Sequence, residues 1–284
     1  MTPIAMRQLG RLSLELLFVA LLYTAVGVVL AIFSAGWGRP GDLLQLLLLN
    51  LLAVVPLAFF VWKVDGTWWS IGGTAALALA LLHAVVPRME LLLDRQMSLL
   101  QLPWTAVNAL GAAAAGVAAL MMVIRPWQTS DVPPYPCPAG EPRSYLWRLA
   151  AVLAGYAVLH VLAARVGRMV FGQSTHPPLL SELVNKLALG VVVVLVAYLV
   201  AAHLGVRSPR RWAILLAVFA VLPATGRWQA LSGWPLVYLS TRVGLRLLAD
   251  LGVGVSIAFV LMTELTRSGS TRSAPTEPEP AATE

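Results

Sequence analysis

The sequence predicts an all-α polytopic integral membrane protein of about eight transmembrane helices. Three observations predict it. About eight long apolar stretches follow one another with only short polar breaks between them. Hydrophobic residues fill 59% of the 284 positions and charged residues 12%, where a soluble domain carries about 25% charged residues. Mean hydropathy is +0.80, a surface that a bilayer tolerates and water does not. A span takes roughly 20 apolar residues to cross about 30 Å of hydrocarbon, so loops and tail leave room for seven or eight. Lipid gives backbone groups no water to bond, which restricts spans to helices or closed barrels. Strict apolar/polar alternation is absent, which argues against a barrel.

The elements follow in order. Arg7 and Arg11 precede an apolar run from Leu12 to Gly36. That run exceeds the roughly 7–15 residues of a signal-peptide core, so it reads as an uncleaved first span. The second span covers about 43–62 and contains Pro56. The third covers about 69–87 and is expected to stop at Pro87. Residues 88–102 interleave Arg88, Glu90, Asp94 and Arg95 with leucines, the pattern of an interfacial amphipathic helix. Pro103 breaks it, and the fourth span covers about 104–124. Residues 126–144 hold six prolines, which favours an extended linker.

The fifth span covers about 146–165 and the sixth about 184–206, followed by a sharp basic turn. The seventh, about 212–223, has only 12 apolar residues before Pro223. It is too short to cross alone, so it either re-enters or continues through Arg227 to Leu231. An amphipathic stretch, 234–246, leads into the eighth span at about 247–265. The Ser, Thr, Pro, Glu and Ala tail cannot bury apolar surface and is expected to be disordered.

These elements divide the chain into an N-terminal four-helix half (1–127), a Pro-rich cytoplasmic linker (128–144), a C-terminal four-helix half (145–266) and a cytoplasmic tail (267–284). Landmarks recur at near-constant offsets: Arg11 and Arg148, Asn50 and Asn185, Pro87 and Pro223 lie 137, 135 and 136 residues apart. Duplication of a four-helix unit explains this. The bland alternative is that any two sets of four apolar helices can be aligned. Four spans return the chain to its starting side, so the copies would be parallel repeats. The small residues of Gly111–Gly116 and Gly252 with Gly254 allow close backbone approach and are expected between the halves.

Orientation follows from basic residues. With the N-terminus inside, eleven of the 20 Lys and Arg fall inside, including the tight clusters at the N-terminus and at Arg207, Arg210 and Arg211. Short clustered loops count most, so both termini are placed in the cytoplasm of a bacterial-type inner membrane. The net charge of +7 then reflects anchoring at span ends beside anionic lipid and not a nucleic-acid partner. Cys137, the single cysteine, allows no intramolecular disulfide and no thiol cluster for zinc. Phosphate-loop, dinucleotide, metalloprotease and nucleophile-elbow motifs are absent, and no cofactor or metal is expected. No Ser–His constellation stands out within a span.

Ionisable residues within a span cost about 2.5–3.5 kcal/mol each on insertion scales, so each needs a partner or a role. Arg11 with Glu15 and Glu182 with Lys186 sit four apart and are expected to pair on one helix face. Arg242, Arg246 and Asp250 form one stripe, with Asp250 expected to pair with Arg246. Glu90, Asp94, Arg95 and Arg227 would join them in an outward charged vestibule flanked by Trp228 and Trp234. Those tryptophans also suit the ordinary aromatic belt. His83, His160 and His203 are either interhelix hydrogen-bond partners or proton carriers. Asn50 and Asn108 lie deep and can bond across helices. The candidate polar pathway is therefore Asn50, His83, Glu90, Asn108, His160, Arg242, Arg246 and Asp250.

Three functions fit. A permease-like protein would move a small solute through a cavity between the halves lined by Asn50, Asn108, His160 and Asp250. A non-catalytic assembly or sensing subunit, self-associated or bound to other membrane proteins, would keep its polar residues paired. A lipid-modifying enzyme would hold a lipid phosphate at Arg242 and Arg246, with Glu90 or Asp94 as base.

Overall fold

The computed structural model describes residues 3–35, 43–64, 66–93, 101–124, 142–172, 177–204, 209–231 and 235–260. Eight helices run through them: α1 Pro3–Ala35, α2 Leu43–Lys63, α3 Trp68–Leu93, α4 Gln101–Ile124, α5 Pro142–Val170, α6 Leu179–Leu204, α7 Pro209–Ala230 and α8 Leu236–Val260. All eight are long and apolar enough to cross a membrane, and no strand occurs among the described residues. Their outward faces carry exposed Leu14, Phe18, Leu44, Phe59, Leu180 and Val237, a surface matched to lipid and not to water.

One expectation about helix ends is corrected. Pro87 does not end α3. Residues Leu79–Val85 widen into a π-helical turn, where the Val86 amide bonds the Leu81 carbonyl, and helix resumes over Val86–Leu93. The wider turn accommodates a proline that has no N–H for the His83 carbonyl four residues back. The supposed interfacial helix therefore begins as the buried end of α3, with Pro87 and Glu90 inside the fold. Of the two alternatives for the seventh span, α7 takes the continuous one: it passes through Pro223 and is long and apolar enough to cross, and the stretch from Leu236 runs into α8 as one helix, as expected. The linker segment through residue 141, the tail beyond residue 260, Cys137, Asp94, Arg95 and Trp234 lie outside the described residues.

Helix packing has a regular pattern. Helix α1 packs on α2 and α4, and α3 packs on α4. In the second half α5 packs on α6 and α8, and α7 packs on α8. Across the halves α2 meets α7, α6 meets α3, and α3 crosses α7. The span-4 and span-8 glycines serve contacts inside each half, which corrects their expected place between halves. A Cβ on Gly116 would meet the Tyr23 side chain at 3.1 Å, and one on Gly252 would meet Leu159 at 2.9 Å. Gly111, Gly116 and Gly252 face the first helix of their own half, because α1 and α5 close each four-helix unit onto α4 and α8, while Gly254 faces Leu216 of α7.

Contacts at the helix ends fix the two faces. Arg148 at the start of α5 donates to the Val260 carbonyl at the end of α8, 3.5 Å away. Ser70 at the start of α3 meets His203 at the end of α6. The ends of α3 and α7 meet through Glu90 and Arg227 on the opposite, non-terminal side.

Candidate functional site

Two polar groups occupy the half of the bundle away from the termini. The first is a cavity of about 260 Å³ set among α1, α2, α3 and α4 and touched by α7. Its buried floor is Tyr23, Thr24, Asn50 and His83, and its half-buried rim includes Val28, Leu46, Arg88, Thr105, Asn108 and Gln229. A hydrogen-bonded chain fixes the floor. Thr24 Oγ1 lies 2.7 Å from the Ala20 carbonyl, Asn50 Nδ2 2.9 Å from Thr24 Oγ1, His83 Nε2 3.2 Å from Asn50 Oδ1, and His83 Nδ1 3.0 Å from Thr225 Oγ1.

The chain is satisfied with the His83 proton on either nitrogen. On Nε2 it donates to Asn50, and Nδ1 accepts from the Thr225 hydroxyl. On Nδ1 it donates to Thr225, whose own hydroxyl reaches the Val221 carbonyl at 2.8 Å. The Asn50 amide then turns over, donates to Nε2 and accepts from Thr24. His83 also lies at the π-helical turn of α3, where Gly226 of α7 presses onto its carbonyl. Arg88, one turn further along, donates to the Ala84 carbonyl at 3.3 Å. It pairs with no carboxylate among the described residues.

The second group is a buried ion network built from α3, α5, α6, α7 and α8. Glu90 Oε1 lies 3.2 Å from Lys186 Nζ and 3.1 Å from Arg246 Nη1, and its Oε2 lies 2.9 Å from Arg227 Nε. Arg227 turns its other nitrogens to Asp250 in a bidentate pair. Arg246 Nη1 also lies 3.2 Å from His160 Nδ1. His160 Nε2 approaches Asp250 Oδ1 to 3.0 Å, but in a direction that leaves that nitrogen without a hydrogen bond. The Tyr156 ring lies 4.2 Å from the His160 ring, and its buried hydroxyl makes no hydrogen bond. The bidentate fork and multiple partners are what burial of these charges requires.

The sequence candidates thus divide. Asn50, His83 and Asn108 line the cavity. Glu90, His160, Arg246 and Asp250 belong to the network. Arg242 donates to the Tyr238 hydroxyl at 2.8 Å. It lines, with Arg227 and Arg246, a void of about 20 Å³, room for about one water. Both Glu90 oxygens are engaged by cations, which makes it a counter-ion and not a free base. Of the expected pairs, Arg11 bonds Glu15 at 2.7 Å. Glu182 is held by Arg165 at 3.1 Å and by Arg168, while Lys186 reaches Glu90. Asp250 takes Arg227 in place of Arg246, because Arg246 is drawn to the Glu90 carboxylate.

Sequence reading passed over Tyr23, Arg88 and Tyr156, and over the pairing of Ser70 with His203. His203 Nδ1 donates to the Leu199 carbonyl at 2.8 Å, which leaves Nε2 to accept the Ser70 hydroxyl at 2.7 Å. The residues are 133 apart, so no spacing rule joins them. Among the described residues no group of three His, Cys, Asp or Glu could hold a metal. No protein-family model, curated protein or solved structure matches the chain.

Proposed function

We propose that this chain is a permease-like protein of a bacterial-type inner membrane that passes a small polar solute, with both termini cytoplasmic. The cavity carries the reading. A space of about 260 Å³ approaches the roughly 300 Å³ at which small-ligand pockets begin. Its floor is hydrogen-bonded and polar at a depth where lipid-facing spans are apolar. Polar groups held at such depth are expensive, and a solute that uses them explains their presence.

The same proposal takes the chain as two fused four-helix units related by an axis along the membrane normal. Several features support it. The helix pairs of one half recur in the other, and α2 on α7 matches α6 on α3. Gly116 and Tyr23 each precede Gly252 and Leu159 by 136 residues, and the two glycine contacts are alike. On this register Asn50 corresponds to Lys186 and Thr24 to His160, so the cavity of one half corresponds to the ion network of the other. In parallel-repeat transporters a site near the repeat interface opens alternately to the two faces by rocking of the halves. The crossing of α3 and α7 beside His83 and Gly226 is the contact about which such rocking would turn.

The second reading, a sensing or assembly subunit, is favoured by the fully engaged Glu90 and Arg227. Two-sided labelling separates them. In a Cys137→Ser background, Asn50→Cys is treated with a membrane-impermeant thiol reagent in sealed vesicles of either orientation. Reaction from both faces is expected for a permease. Reaction from one face alone would leave a binding or sensing site and no pathway.

A further inference from the structure

We infer that the cavity takes a small carboxylate, held at Arg88. This rests on reading the cavity as a solute site and adds the chemical class of the solute. Among the described residues that line the cavity, Arg88 is the one fixed charge, and no carboxylate lines the space with it. The rest of the lining supplies neutral hydrogen-bonding groups at Tyr23, Thr24, Asn50, Thr105, Asn108 and Gln229. Such a lining completes the coordination of one anion beside one guanidinium. The surrounding charge acts in the same direction. In this half of the bundle the described residues hold seven Arg and Lys against three carboxylates, Glu90, Glu182 and Asp250. Arg88 alone of the seven lines the cavity, and the excess adds a longer-range positive field to it.

The network in the second half indicates what kind of anion fits. There Lys186, Arg227 and Arg246 close around a carboxylate that the protein supplies itself, Glu90 of α3. On the 136-residue register, the position in α7 that corresponds to Glu90 is Gly226, which has no side chain. The second half carries its anion covalently, whereas among the described residues the first half has a cation of its own, Arg88, whose counterpart on this register is Ala224, and a space that no carboxylate enters. A free carboxylate of a few carbons fills that role. Space of about 260 Å³ holds on the order of eight waters, which limits the ligand to a comparably small number of non-hydrogen atoms.

The test uses full-length protein carrying Cys137→Ser and Ala109→Cys, since Ala109 lines the cavity and cysteine there adds only one sulfur. An uncharged, water-soluble thiol reagent reports access. Acetate, propionate and butyrate are compared with acetamide, propionamide and butyramide at equal ionic strength. The carboxylates should slow labelling as 1 + [L]/Kd, about tenfold at ten times Kd, and the amides should not. Arg88→Gln should remove the protection and Arg88→Lys should keep part of it. Equal protection by acids and amides, protection by neither, or protection unchanged in Arg88→Gln would overturn the inference. The acid–amide comparison needs no Arg88 variant, so misfolding of Arg88→Gln leaves it decisive. Labelling without any ligand reports the solute site separately: if it is absent, the cavity reading fails as well.

Discussion

Gly226 of α7 lies so close to His83 of α3 that a Cβ there would sit 1.8 Å from the His83 carbonyl oxygen and 2.9 Å from the Pro87 ring. The carbonyl is the one that Pro87, four residues on, cannot bond. Helix α3 meets the loss by widening into a π-helical turn, and α7 meets it by having no side chain at the crossing. Sequence, local geometry and tertiary packing therefore meet at one point, and that point borders the cavity.

Gly226→Ala should accordingly be among the most damaging single methyl additions in the chain. The obstacle is backbone, which cannot rotate away, so the helices must separate. Overpacking of this kind costs on the order of 3 kcal/mol. Gly244→Ala is the control, because nothing lies within 4 Å of a Cβ there. Thermal melts of detergent-purified protein should show a large loss for the first. The second should show no loss, or a small gain from better helix propensity.

Removing Glu90 should be worse than removing any one cation that faces it. Glu90→Gln leaves Lys186, Arg227 and Arg246 clustered with only Asp250 to offset them. Breaking a buried pair by deleting one partner costs about 3–5 kcal/mol. The double variant Glu90→Gln with Lys186→Met should lose less than the sum of the two single losses, because it removes one uncompensated charge. Additive losses in the melts would mean the two side chains do not interact.

The Arg11–Glu15 pair offers the contrast. Arg11 is 83% exposed at the side chain, where an ion pair contributes about 0–1 kcal/mol. Arg11→Ala should leave the melting temperature nearly unchanged, and a large drop would show that Arg11 has a partner outside its own helix.

Ser70→Ala should cost about 1 kcal/mol, the usual value of one hydrogen bond between membrane helices. His203→Ala should cost more, because it also removes the bond to Leu199 and the edge contact with Phe60 at 6.3 Å between rings. Equal losses would place the stability of this corner in the Ser70 bond alone.

The sequence made the spans legible because apolar length is a local property, and Arg11–Glu15 legible because both ends lie on one turn. It misread Pro87 as a stop and left open whether the helix continues past Pro223. A proline ends a helix only when nothing else accommodates the freed carbonyl, and that depends on α7 packing against α3. It read Glu90 as an interfacial charge for the same reason. The three cations that hold it lie 96, 137 and 156 residues away. Arg88 read as one more charge of an amphipathic segment, and the cavity that it lines is formed by helices distant in sequence. Asn50, Asn108 and His160 were visible as deep polar residues, but their division between cavity and network depends on helix rotation, which spacing does not encode.

The most direct measurement compares access at four near-isosteric positions in the Cys137→Ser background. Ala109→Cys and Ala112→Cys line the cavity, while Ala157→Cys and Ala249→Cys are buried on α5 and α8, the helices that carry His160 and Asp250. A water-soluble thiol reagent should label the first pair rapidly and the second pair only after denaturation. If the cavity pair stays unlabelled in folded protein, or all four react alike, the cavity is not a solute site.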